Sequence, residues 1–109
     1  MTNVVFLQDS GSYKGFTLKG HACFNIGGPD ILCSAISTAS QMTANGLEEV
    51  AKVKIRYEEG DGSLAVMLVD DANDISNALI KSFDLAIQNL HDQYSDFITL
   101  SRVEWSEQT

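Results

Sequence analysis

The sequence predicts an α+β fold in the order β-β-α-β-β-α-β, a mainly antiparallel sheet packed with two helices. Three observations carry that expectation. The chain opens with strand-like stretches broken by glycine-containing turns, it shifts to a helical period from Asp30, and from residue 50 it alternates again before a second long helical stretch. No internal repeat, linker or low-complexity tract interrupts the 109 residues, so residues 1–109 are expected to form one domain.

Each element follows from its local pattern. NVVFLQ (3–8) is rich in β-branched and apolar residues, DSGSYKG (9–15) reads as a turn, and FTLKGHA (16–22) alternates as a strand does. From Asp30 the period changes: Leu32, Ala35, Ile36, Ala39, Met42 and Gly46 recur at helical spacing. Asp30 sits where an N-cap belongs, with Pro29 before it and Gly46 near the expected C-terminus. VAKVKIRYEEG (50–60) alternates again, Asp61-Gly62 is a hairpin signal, and SLAVMLVD (63–70) reads as a more buried strand. In residues 71–97, Ile75, Leu79, Phe83, Ala86, Ile87, Leu90 and Tyr94 mark one face of a long amphipathic helix. Ile80 and Leu85 lie off that stripe and widen the apolar surface toward a partner. FITLSRVEW (97–105) closes as a strand.

Composition narrows the function classes. Hydrophobic residues at 44% and charged residues at 20% fit an ordinary soluble globule. No run reaches the length of a membrane span and no secretory signal pattern opens the chain, so a cytoplasmic location without membrane contact is expected. A net charge of −8 with only seven basic residues argues against direct nucleic-acid binding and favours basic partners, ribosomal proteins among them.

The chemistry concentrates in GHACFNIGGPDILCSAIS, residues 20–37. If Asp30 caps the helix, Cys33 lies in its first turn, where unsatisfied N–H groups and the macrodipole favour thiolate over thiol. A histidine in reach would lower the thiol pKa further and shuttle a proton, and His21 ends the preceding strand. The competing reading is a buried cysteine acting as a small hydrophobe. His21, Cys23, Cys33 and Asp30 also form a zinc-type ligand set, although paired C-x-x-C knuckles are missing. A Cys23–Cys33 disulfide would act as reversible inhibition rather than as a staple. His91, late in the second helix, reads as a favourable C-terminal cation. A non-catalytic ribosome-assembly module, using the acidic surface and second helix, is the rival from another class.

Gly20-His21-Ala22, then Gly28, then Asp30-Ile31-Leu32-Cys33 followed by Ser34-Ala35-Ile36-Ser37, resembles the ribosomal-processing cysteine protease family, Prp. The similarity extends to the D/N-rich start of the second helix and to LHDQYSDFITL near the end. The resemblance implies a dimeric cytoplasmic endopeptidase, without cofactor or metal, that removes the N-terminal leader extension of a large-subunit ribosomal protein. It implies Cys33 as nucleophile and His21 as general base and acid, and it aligns Asp30 and Ser37 with the family's aspartate and serine. Asp30 would cap the helix and orient His21; Ser37, one turn beyond Cys33, would support the site or a substrate carbonyl. Gly27 and Gly28 would let the substrate loop open for an extended peptide. Leu32 and Ser34 replace the family's valine and alanine, and Cys23 stands outside its motif.

Overall fold

The structure, a computed structural model, describes residues 1–20 and 30–105, with the backbone alone for Asp30 and Ile31. Its elements run β1 (Thr2–Asp9), β2 (Ser12–Lys19), α1 (Asp30–Glu49), β3 (Ile55–Gly60), β4 (Ser63–Leu68), α2 (Asp74–Gln93) and β5 (Ile98–Glu104). The expected order is the one found. The strands form a single sheet in the order β3-β4-β2-β1-β5. All neighbours are antiparallel except β1 and β5, which pair in parallel from Thr2↔Ile98 to Gln8↔Glu104.

Turn chemistry sets the register. β1 and β2 join through Ser10 and Gly11, with φ of 53° and 85°, as a two-residue hairpin turn with both φ positive requires. The expected 9–15 turn therefore shrinks to two residues, and β2 starts at Ser12 rather than Phe16. Periodicity missed this because the register shifts between Leu7 and Gln8, so Tyr13 and Gly15 do not continue one simple alternation. At Gly15 an added Cβ would lie 2.2 Å from the Val66 carbonyl oxygen, so only glycine fits there. The Asp61-Gly62 hairpin forms as expected, with Gly62 at φ 74°.

Cross-strand register puts Thr2, Val4, Phe6, Phe16, Leu18, Val66, Leu68 and Ile98 on one face of the sheet, and all of them are buried. Both helices pack there. Phe83 of α2 meets Phe16 and Phe6 at centroid distances of 4.7 and 5.7 Å. Burying an aromatic of this size contributes roughly 2–3 kcal/mol, so this trio anchors α2 to the sheet.

The helices' buried stripes differ from the expected ones. On α1 the stripe is Leu32, Ile36, Ser40, Thr43, Ala44 and Leu47, while Met42 is 69% exposed. Ser40 and Thr43 escaped hydrophobic counting because each hides its hydroxyl on a carbonyl one turn back, Ser37 O and Ala39 O. Gly46 lies three residues before the end of α1 at Glu49, and it faces Leu79 of α2, whose Cδ1 would lie 3.1 Å from an added Cβ. On α2 the buried face is Ser76, Ile80, Phe83, Asp84 and Ile87. Ile80 is thus core rather than partner surface, and Ile75 is exposed. Of the expected stripe, Phe83 and Ile87 are buried and Leu79, Leu90 and Tyr94 pack against the core, while Asn73 and Ser76 form a capping box at the first turn. Asn73 also donates to Ala51 O at 3.1 Å, tying the start of α2 to the end of α1. Residues 50–54, expected within a strand, instead carry the chain from α1 into β3, with Lys52 at φ 59°.

One polar cluster lies inside the core. Asp84 of α2, 1% exposed, accepts from Tyr13 Oη at 2.8 Å, from Gln88 Nε2 at 3.1 Å and from Arg102 at 2.5 and 3.2 Å. It joins β2, α2 and β5. Burial first, and then the hydrogen bond to Asp84, push the Tyr13 hydroxyl up to about 12.

Candidate active site

A pocket of about 310 Å³ opens between the start of α1 and one end of the sheet. Its apolar wall is Leu18, Ile36 and Leu64, and its polar rim comes from Cys33, Ser37, Gln41, Tyr57 and Glu59. Cys33, Ser37 and Gln41 follow at four-residue intervals, so they share one face of α1 over two turns. Opposite them, Tyr57 and Glu59 project from β3 on the helix side, since they pair with Val66 and Leu64. Gln41 Nε2 donates to Tyr57 Oη at 2.6 Å and straps β3 to α1. Burial, followed by the charge of Glu59, raises the Tyr57 hydroxyl above its ordinary range.

The corner of the pocket is built by Gly20. It ends β2 with φ 99°, donates its N–H to Gly62 O at 2.8 Å, and packs so closely that a Cβ would lie 2.2 Å from Met1 O. A side chain at this position meets both a left-handed backbone and a carbonyl, so glycine is required. Gly20 is the last described residue before His21, and it lines the same pocket as Cys33. The strand end and the helix start therefore converge, as the sequence expects.

Of the residues singled out from sequence, the structure describes Cys33 and Ser37 in full. Cys33 is half-buried three residues into α1, and Ser37 is exposed on the same wall. Asp30 opens α1, and nothing is described of its side chain. His21, Cys23, Gly27 and Gly28 lie outside the described residues. Cys33 is disulfide-bonded. A sulfur in a disulfide is neither nucleophile nor thiolate ligand, so reduction must precede either role. Among the described residues no three His, Cys, Asp or Glu side chains cluster as a metal site, and no helix is long and apolar enough to cross a membrane.

Sequence reasoning missed Gln41, Tyr57, Glu59 and Leu64. The available signal was the alternation in IRYEEG, which puts Tyr57 and Glu59 on one face, but only the pairing with β4 reveals that this face looks onto Cys33.

Cys33 thus stands in the first turn of a helix and faces a pocket with an apolar wall. The family model for the cysteine protease Prp matches residues 1–99. The chain belongs to the cysteine protease Prp family. Solved Prp structures share its fold. The essential ribosomal processing protease Prp from S. aureus with a covalently linked product peptide superposes with a TM-score of 0.84 at 22% identity, covering 94% of this chain and 100% of that one. The same S. aureus protease with a substrate peptide gives 0.85 at 21% identity, again covering 94% and 100%. SMU.848 from Streptococcus mutans gives 0.79 at 28% identity, covering 96% and 99%. Among curated proteins no sequence match is found. Membership in Prp makes the chain a cysteine protease, and its β-β-α-β-β-α-β sheet is the Prp fold.

Proposed function

We propose that this Prp-family protease removes the N-terminal leader of a large-subunit ribosomal protein, with Cys33 as nucleophile and His21 as general base and acid. The observation that carries the reading is the position of Cys33: early in α1, on the pocket wall, and one turn before Ser37 on the same helix face. The reduced thiol loses its proton to His21, and the helix N-terminus favours the resulting thiolate. The thiolate adds to the scissile carbonyl carbon, and backbone N–H groups at the start of α1 receive the oxyanion. His21 returns the proton to the leaving amine as the C–N bond breaks, which leaves a thioester on Cys33. Water, activated by His21, then adds to the thioester and releases the leader as a carboxylate. Asp30 orients His21, Ser37 supports the substrate, and Gly27 and Gly28 belong to the substrate loop.

The S. aureus Prp complexes with peptides support a peptide substrate here. The net charge of −8 suits a basic ribosomal partner in the cytoplasm. Exposed Leu85 on the helix layer offers one surface for a homodimer, and half-exposed Val5, Leu7 and Met67, on the opposite face of the sheet, offer another. The test is incubation of reduced wild-type, Cys33→Ala and His21→Ala proteins with a peptide spanning the leader junction. Wild type is expected to yield two products by mass and both variants none; turnover by Cys33→Ala would overturn the assignment.

A further inference from the structure

β3 is the outermost strand of the sheet, and among the described residues nothing pairs with its free edge. Residues 56–60 are all exposed. Which backbone groups face outward follows from the ladder. Lys54 O accepts from Val69 N at 2.8 Å, and Lys54 N donates to Asp70 Oδ2 at 2.9 Å, so the backbone of Lys54 points toward β4. In an antiparallel pair the bonded positions alternate. Arg56, Glu58 and Gly60 therefore bond to β4, and Ile55, Tyr57 and Glu59 turn their N–H and C=O groups outward.

Two of those outward-facing residues, Tyr57 and Glu59, line the pocket with Cys33. Tyr57 is strapped to Gln41, two helical turns from Cys33, whereas Glu59 and Gly60 lie at the hairpin end beside Gly62 and Ser63. The open edge thus runs along the groove from the Gln41 end toward the nucleophile. Its donors and acceptors are spaced by two residues, about 7 Å, which matches an extended chain.

We propose that the substrate binds as an added strand on the free edge of β3, pairing with the backbone of Tyr57 and Glu59. This rests on the peptidase reading above. The occupant is an extended polypeptide segment without its own secondary structure. Main-chain bonds to β3 supply sequence-independent affinity, and side chains on the helix side of the added strand drop toward Leu18, Ile36 and Leu64. The strap between Gln41 and Tyr57 keeps β3 at a fixed distance from α1, so the strand is held in register with Cys33 before reaction.

Two measurements test this, both on reduced Cys33→Ala protein so that binding is read apart from cleavage. First, leader-junction peptides N-methylated at one backbone position each are titrated by fluorescence anisotropy. Two positions separated by two residues are expected to weaken binding about fivefold to tenfold, with little effect at the position between them. A flat scan, or one without period two, overturns the proposal. Second, Glu59→Pro removes one outward N–H without touching the β4 ladder, while Glu59→Ala removes only the side chain. The proline variant is expected to weaken binding about fivefold beyond the alanine variant, with unchanged far-UV circular dichroism. Equal binding by the two overturns it. Sedimentation of the same variants separates self-pairing: dissociation of a wild-type dimer by Glu59→Pro with peptide binding intact would assign the edge to a second copy instead. Cleavage by Cys33→Ala would refute the catalytic assignment while leaving both binding results interpretable.

Discussion

Gly20→Ala tests whether the end of β2 is built as described. The substitution meets two separate obstacles. The backbone at φ 99° disfavours any side chain, and the new Cβ would lie 2.2 Å from Met1 O and 3.3 Å from Met1 C. Conformational strain of this kind costs about 1–2 kcal/mol. The clash cannot be relieved by a side-chain rotation, because the obstructing atoms are backbone next to Thr2, whose N–H is bonded to Phe97 O at 2.8 Å. Forcing atoms into packed space adds about 1–3 kcal/mol, for a total near 3 kcal/mol. Gly11→Ala is the matched control, since its φ is 85° and nothing lies within 4 Å of its added Cβ. It should lose only the strain part. Urea unfolding followed by circular dichroism reads both, and in a thermal melt Gly20→Ala is expected to fall by about 15 °C. Equal losses for the two variants would refute the close approach of Met1 to Gly20, and with it the account of how the chain enters the pocket.

Other consequences follow from the same geometry. Arg102→Met leaves the Asp84 carboxylate buried with only Tyr13 and Gln88 as donors. It should cost about 2 kcal/mol, less than a fully buried pair because the Arg102 side chain is 38% exposed, and adding Asp84→Leu should recover most of it in a urea-unfolding cycle. The raised Tyr13 hydroxyl sets an alkaline limit. Its neutral form is favoured by folding, so its contribution is complete below pH 10 and is lost as pH rises toward about 12, a component of the stability profile that Tyr13→Phe should remove. Oxidised protein should be inactive and regain turnover with dithiothreitol, since the disulfide occupies Cys33; Cys23→Ser is expected to abolish the reversible protection of Cys33 from alkylation after mild peroxide. Alkylation of reduced Cys33 by iodoacetamide should proceed at pH 6, where an ordinary thiol is almost wholly protonated.

The order of elements was legible because its signals are local: the change of period at Asp30, Asp61-Gly62, and the long apolar stripe of α2. What escaped depends on pairing partners distant in sequence. The bulge near Tyr13 hid the start of β2, and Ser40 and Thr43 counted as polar although each satisfies its hydroxyl within α1. The burial of Asp84 has no local sequence signal, because its partner Arg102 comes 18 residues later, on β5. At the candidate site, Cys33 and Ser37 were readable from helical spacing and family motif. Tyr57, Glu59 and Gln41 were not, because only the β3–β4 register brings an outer strand against the α1 face that carries Cys33.

The central claim is covalent: the leader passes through a thioester on Cys33. Reduced wild-type protein is mixed with a leader-junction peptide, acid-quenched within the first turnover and digested with trypsin. Lys19 and Lys52 bound the fragment that carries Cys33, which is mapped by tandem mass spectrometry. The account predicts an adduct on Cys33 equal to the leader-side product less one water, chased away by longer incubation and missing from Cys33→Ala. Product formation with no adduct, at a rate that Cys33→Ala matches, would contradict it.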